Sequence, residues 1–178
     1  MPVNSASKIS AEPAAAREGD GIDTRLRQAM RRLVSGVSIV AVAEDGVRHG
    51  LVVNSLASVA LDPPTVLICV NRNASSHDPI GRCGRFGVSI LGEADRPTAQ
   101  WFIDPRSRSQ RFETGAWQQS AHGNPLLATA LAQLDCTIVN SVEVGSHTIF
   151  IAAVDAVALR DDPQAPLLHF SGGFRNIT

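Results

Sequence analysis

What most constrains this chain is a succession of short, β-branched apolar runs, each closed off by a turn signal. Val37–Ala43 reads VSIVAVA and runs straight into Glu44-Asp45-Gly46, a hairpin-type turn. Further strand candidates are Gly50–Asn54, Thr65–Val70, Phe86–Leu91, Leu134–Val139, Thr148–Val154 and Leu167–Phe170, with Val154–Leu159 continuing in the same manner. Runs this short and this numerous point to a barrel or sandwich. Helices are expected at only four places. Asp23 can cap one that runs to about Val34 and ends at Gly36; its apolar residues Leu26, Met30, Leu33 and Val34 form one stripe. Arg25, Arg27, Arg31 and Arg32 mostly occupy its other faces, as a solvated helix surface would. A short turn follows Ser76, another helix spans about Asp95–Ile103, and PLLATALAQ (Pro125–Gln133) reads as the last. With no internal repeat and no shift in composition, residues 22–178 are expected to form one mainly β domain.

Composition removes several function classes. The 178 residues are 44% hydrophobic, enough for a substantial core. Sixteen basic against seventeen acidic residues give a formal net charge of −1, without the basic surplus of a nucleic-acid binder. No apolar run approaches the roughly 18 residues of a membrane span. Residues 1–21 are rich in Ala, Ser, Glu and Pro and lack the apolar stretch of a secretory signal, so a disordered tail is expected there. Cys69, Cys83 and Cys136 stand far apart without a CxxC pair. Cys69 and Cys136 sit in apolar stretches as buried thiols would, and the odd count fits a reducing, cytoplasmic setting.

Four segments carry residues capable of chemistry. In HGLVVNSLASVALDPP (His49–Pro64), a strand delivers Asn54-Ser55, with Ser58 three residues on, before Pro63-Pro64 enforces an extended exit. Short donors and acceptors at a strand end can meet the polar rim of a planar heterocycle, or simply satisfy a turn. In NRNASSHDPI (Asn71–Ile80), Ser75 or Ser76 can start a helix, an arrangement that suits either an anion or a plain cap. VGSHTI (Val144–Ile149) sets His147 at the opening of a strand, where its ring can donate a hydrogen bond or switch charge near neutrality. In SQRFETGAW (Ser109–Trp117), Arg111 can neutralise phosphate and Phe112 can cover a flat ligand, or the phenyl ring can merely pin the loop. His49, His77, His122 and His169 lack metal-ligand spacing, and there is no Walker loop, GxGxxG or GxSxG. No metal site is expected.

In this order the four segments resemble the short-chain flavin reductases, from about Leu26 to Phe174. The most specific element is the block from Asn54 to Val70, NSLASVALDPPTVLICV, followed by the Gly-Xaa-His strand entry at Gly145–His147. The resemblance implies an FMN-binding split β-barrel of Greek-key type, working as a homodimer, with a few short peripheral helices. It implies hydride transfer from NADH or NADPH to FMN or FAD, and delivery of reduced flavin to a partner monooxygenase. Split-barrel relatives that keep their flavin and act on a substrate themselves, or that only bind flavin or haem, are the alternatives. Carried over by position, Val53, Asn54, Ser55 and Ser58 would hold the isoalloxazine edge, flanked by Cys69 and Asn71. Ser75 and Ser76 would receive the flavin phosphate, Arg111 and Phe112 would cover the phosphate or ring side, and His147 would lie by the nicotinamide. The chain departs from the family pattern at Val52 (usually Thr), Ser146 (usually Asp) and His169 (usually aromatic). The protein would mainly position cofactors that carry the chemistry themselves.

Overall fold

A computed structural model describes residues 21–162 and 164–177; the tail expected over residues 1–21 lies outside them except for Gly21. The chain enters through α1 (Ile22–Met30) and the two-residue β1 (Ser35–Gly36). A hairpin of β2 (Ser38–Glu44) and β3 (Val47–Val53) follows, then a second of β4 (Ala57–Leu61) and β5 (Pro64–Asn71). Next come α2 (His77–Cys83), β6 (Arg85–Ile90), α3 (Arg96–Ile103) and a 3-10 turn over Pro105–Gln110. Short β7 (Trp117–Gln119) and β8 (Pro125–Leu127) pair with each other. The long hairpin of β9 (Ala132–Val144) and β10 (His147–Leu159) precedes β11 (Leu168–Phe170) and β12 (Gly173–Arg175). Mainly β architecture with short peripheral helices is thus what forms.

Seven strands make the main sheet, in the order β3-β2-β6-β9-β10-β5-β4. The consecutive strands β3 and β4 therefore sit at its two opposite edges, joined only by Asn54, Ser55 and Leu56. Laid flat, the sheet would be about 29 Å wide. Four Cα steps reach about 14 Å at most. The sheet must curl until its edges meet, which makes a barrel with an unpaired seam beside β3. That is a split barrel derived from connectivity.

Both faces of β2 are covered, which is why VSIVAVA shows no alternation. Val40 and Val42 join the barrel interior with Ile68, Val70, Phe86 and Phe150. Val37 and Ile39 point the other way, into a second core with Leu91, Phe102, Leu127 and Leu167. The β2–β3 turn takes left-handed conformations at Asp45 and Gly46, φ 50° and 80°, as the sequence signal requires.

Three local expectations fail. The segment Pro125–Gln133 is not a helix. Pro125–Leu127 pairs with Trp117–Gln119, Ser89 Oγ accepts the Leu127 N–H at 2.9 Å, and Gln133 Nε2 donates to the Leu127 carbonyl at 3.0 Å. Those long-range bonds satisfy the backbone better than one isolated helical turn would. The first helix is capped by Gly21 rather than by Asp23, stops at Met30 and buries none of its residues. Gly36 belongs to β1 instead of ending it. Cys69 is half-buried rather than buried, whereas Cys136 lies fully in the core and burial pushes its thiol up to about 12.

Candidate functional site

The seam left by the curled sheet positions every segment singled out above except VGSHTI, which lies one strand away. At one end, Ser55 closes the gap: its hydroxyl donates to the Cys69 carbonyl at 3.1 Å and accepts the Cys69 N–H at 3.0 Å. A side chain here does what a strand ladder does elsewhere. Asn54, exposed beside it, has Nδ2 3.4 Å from Nδ1 of His169 on β11. Val53 turns its side chain into the barrel core, so only its backbone can serve a ligand. Ser58 is exposed on β4 at a register irregularity opposite Val66.

The other end of the seam opens into a cavity of about 330 Å³ between the start of β3 and the loop after β5. Arg48, Arg111 and Phe112 line it from one side, Ser75 and Ser76 from the other, and Arg108 from the 3-10 turn. No carboxylate stands among the described residues lining it. Arg111 donates from Nη1 to the Gly50 carbonyl at 3.1 Å, while its buried Nε has no partner. Burial, and secondarily the charge of Arg108, hold the Arg111 guanidinium below its ordinary pKa. Cations gathered without a counter-ion, one of them carrying an orphaned donor, fit an anionic group.

Phe112, in the wall of this cavity, belongs to an aromatic cluster. Phe102, Phe112 and Trp117 contact one another with ring centroids 4.8–5.5 Å apart. Arg48 lies over Phe112 at 4.9 Å. Glycine is required at position 50, because a Cβ there would stand 2.9 Å from both Phe102 and Phe112.

His147 opens β10, exposed, directly opposite Asn71 of β5. Two residues on, Ile149 is opposite Cys69. Since facing residues of an antiparallel pair share a sheet face, His147, Asn71 and Cys69 line one surface that begins at the Ser55 bridge. Ser146 Oγ lies 2.9 Å from Nδ1 of His147, so the serine that replaces an acidic residue still touches the ring. Ser75 and Ser76 border the cationic cavity, Ser75 exposed and Ser76 buried; Ser76 precedes α2 without a side-chain cap bond.

Sequence reasoning misses Arg48, Arg108 and the role of His169. Arg48, Gly50, Val52 and Asn54 alternate along one face of β3, a period-2 signal that could have flagged Arg48. His169 comes from a hairpin more than a hundred residues away, and no local pattern reports it. With Val52, Asn54, Gln100 and Phe174 it borders a further cavity of about 380 Å³. Two of the three departures from the family pattern therefore fall at one place.

Known proteins share this architecture. A family model described as a flavin reductase like domain matches residues 30–178. "FMN reductase (NADH) RutF 1" of Methylorubrum extorquens (strain PA1) is 36% identical, over 85% of this chain and 74% of that one. The reductase component of 4-nitrophenol 4-monooxygenase/4-nitrocatechol 2-monooxygenase from Rhodococcus opacus is 36% identical, over 83% and 77%. Among solved structures, the Streptomyces globisporus NADH:FAD oxidoreductase SgcE6, in complex with NAD and FAD fragments, has a TM-score of 0.81 at 32% identity, covering 88% of this chain and 93% of that one. BorF, the flavin reductase component of a bacterial two-component tryptophan halogenase, has a TM-score of 0.80 at 30% identity, over 87% and 98%.

Proposed function

This chain belongs to the flavin reductase-like family and is an NAD(P)H-dependent flavin reductase, and we propose that it reduces FMN with NADH along the seam of its barrel and releases the reduced flavin to a monooxygenase. The acid-free cationic cavity carries this reading. Three residues of β3, Leu51 to Val53, separate its last lining residue on that strand, Gly50, from Asn54, a span of about 13 Å. A phosphate at one end and a ring at the other fit an extended flavin mononucleotide.

Flavin and reduced nicotinamide, when bound, supply the hydride chemistry. The chain binds and orients them. Arg111, Arg108 and Arg48 neutralise the phosphate, with Ser75 and Ser76 donating from the facing loop. The free edge of β3 and the Asn54 amide offer hydrogen bonds to the ring rim, with Val53 taking part through its backbone and Ser58, Cys69 and Asn71 bordering the ring. Phe112 walls the phosphate end, and His147 stands where the nicotinamide approaches. FAD would have to leave its adenosine outside the cavity, so FMN is the better guest. The same placement accommodates NADPH less directly, because among the described residues no second cationic cluster lies beside His147, where Arg72 is paired with Glu143.

Val142 and Val144 are 44% and 56% exposed on the face that carries His147, which supports a homodimer covering that surface. Among the described residues no helix is long and apolar enough to cross a membrane, and no group of three or more His, Cys, Asp or Glu is placed to hold a metal ion. The three free cysteines favour the cytoplasm.

The test is oxidation of NADH dependent on added FMN or riboflavin. Replacing Ser75 and Ser76 together by Ala should weaken FMN about tenfold and leave riboflavin, which has no phosphate, within about twofold. His147→Ala should lower kcat and spare flavin affinity. Equal weakening of both flavins by the serine variant would remove the phosphate assignment, and flavin tightly co-purifying without turnover would mark an enzyme acting on its own substrate.

A further inference from the structure

His77 is used by nothing described so far, yet it stands between the two ends of the site. It follows Ser75 and Ser76 directly, and its ring is packed 5.6 Å from that of Phe150, tilted by 49°. Nδ1 lies 2.7 Å from Asp78 Oδ1, and Nε2 lies 2.8 Å from Thr148 Oγ1. Asp78 is held below the usual carboxylate range by that bond to His77, then by the charges of His77, Arg82 and Arg72. An ionised carboxylate only accepts, so Nδ1 carries the proton it receives. In the neutral ring Nε2 then accepts from the Thr148 hydroxyl. Thr148 is buried and immediately follows His147.

The loop from Asn71 to Asp78 makes two further ties to the same hairpin. Arg72 N–H donates to the Ser146 carbonyl at 2.9 Å, and the Arg72 guanidinium lies 3.2 Å from Glu143. That ion pair is well exposed and contributes little. The His77–Thr148 bond is the sheltered one.

We propose that His77 is a positioning residue, which through the Thr148 hydroxyl fixes the start of β10 and so holds His147 at a set distance from the loop that receives the flavin phosphate. It touches neither flavin nor nicotinamide. The proposal rests on the assignment of His147 to the nicotinamide and of Ser75 and Ser76 to the phosphate. Its consequence is that the phosphate end and the hydride-donor end are mechanically one unit.

The experiment compares Thr148→Val, Thr148→Ser, His147→Ala and the double variant His147→Ala/Thr148→Val in the full chain, measuring kcat, FMN affinity and thermal midpoint. Loss of one sheltered hydrogen bond should lower kcat about fivefold in Thr148→Val, with FMN affinity within about twofold of the parent. Thr148→Ser should recover the rate. Adding Thr148→Val to His147→Ala should cause no further slowing, since the hydroxyl acts through that ring. His77→Phe keeps the packing on Phe150 and should reproduce Thr148→Val, which guards against a valine variant that fails to fold. Parental kcat in Thr148→Val, an equally slow Thr148→Ser, or additive losses in the double variant would each overturn the proposal. If His147→Ala slows turnover while Thr148→Val and His77→Phe do not, only the positioning role falls. If His147→Ala turns over at the parental rate, the nicotinamide assignment falls with it.

Discussion

At the scale of single residues, the site is a problem of unpaired charge. Arg111 is half-buried, has Arg108 for a neighbour, and leaves Nε unbonded. Burial and the charge of Arg108 oppose its ionisation, and a bound phosphate would offset both. A charge-assisted bond contributes about 1.5–3 kcal/mol, so Arg111→Ala should weaken FMN about 10- to 100-fold. Riboflavin should change by no more than about threefold. Fluorescence titration with the two flavins checks this, and parallel losses would mean that Arg111 only braces the Gly50 carbonyl. The convergence of Ser75, Ser76, Arg111 and Phe112 on one cavity involves segments that the sequence singles out, the serines in a polar stretch after an apolar strand and Arg111-Phe112 in a polar loop. Arg108 reads on its own segment as ordinary surface charge, and Arg48 shows only in the alternation along β3. Only the fold turns them toward one cavity. Val53 shows the opposite limit: it belongs to a recognisable segment, but burial in the barrel core leaves its side chain unable to take part.

At the scale of elements, strands were readable wherever the pattern matched local geometry, and helices were misread wherever long-range pairing competed. PLLATALAQ has good helix formers, but Ser89, Gln118 and Gln133 reach in and hold Leu127 and its neighbours extended. Strand β10 reaches Leu159 as its apolar pattern indicated, but β9 runs past Val139, because residues Asn140–Val144 still pair with residues His147–Ile151 of β10. The placement of α2 depends on side chains too. Arg82 binds Glu44 of β2 through both oxygens, from Nε at 2.7 Å and Nη2 at 2.8 Å. That bond, then the Arg82 charge, lowers the Glu44 pKa below its ordinary 4.5. The unfolded chain therefore takes up this proton at a higher pH than the folded one. The stabilisation is complete above the unfolded value and disappears as pH falls through the lower, folded value. Arg82→Met should accordingly be slightly less stable than the parent in urea at pH 7, and the difference should shrink to nothing as the pH drops below the carboxylate range. A constant difference across that range would show that Arg82 acts through packing instead.

At the scale of the whole molecule, one topological fact organises the rest. A three-residue connection joins the two edges of a seven-stranded sheet, so the sheet has to roll and cannot quite close. The gap is where Ser55 substitutes a side chain for a ladder, and where the proposed flat guest would find free backbone along β3. Rolling has a second result. Among the described residues no helix covers the outer face of β5, β10 and β9, and it presents Val142, Val144 and Ile149 next to His147 and Asn71. An apolar patch continuous with a binding site is unfavourable in water, and a second copy of the chain is the cover that costs no additional gene product. The intact protein should therefore elute with twice the chain mass in light scattering. Val142→Asp, which places a carboxylate in the middle of that surface, should shift it toward the single-chain mass. If the cover also completes the groove, FMN affinity should fall in step with dissociation and recover as protein concentration is raised, because mass action repopulates the pair. A parent protein that scatters as one chain at every concentration would leave the exposed valines without a partner and confine the site to the seam of a single barrel.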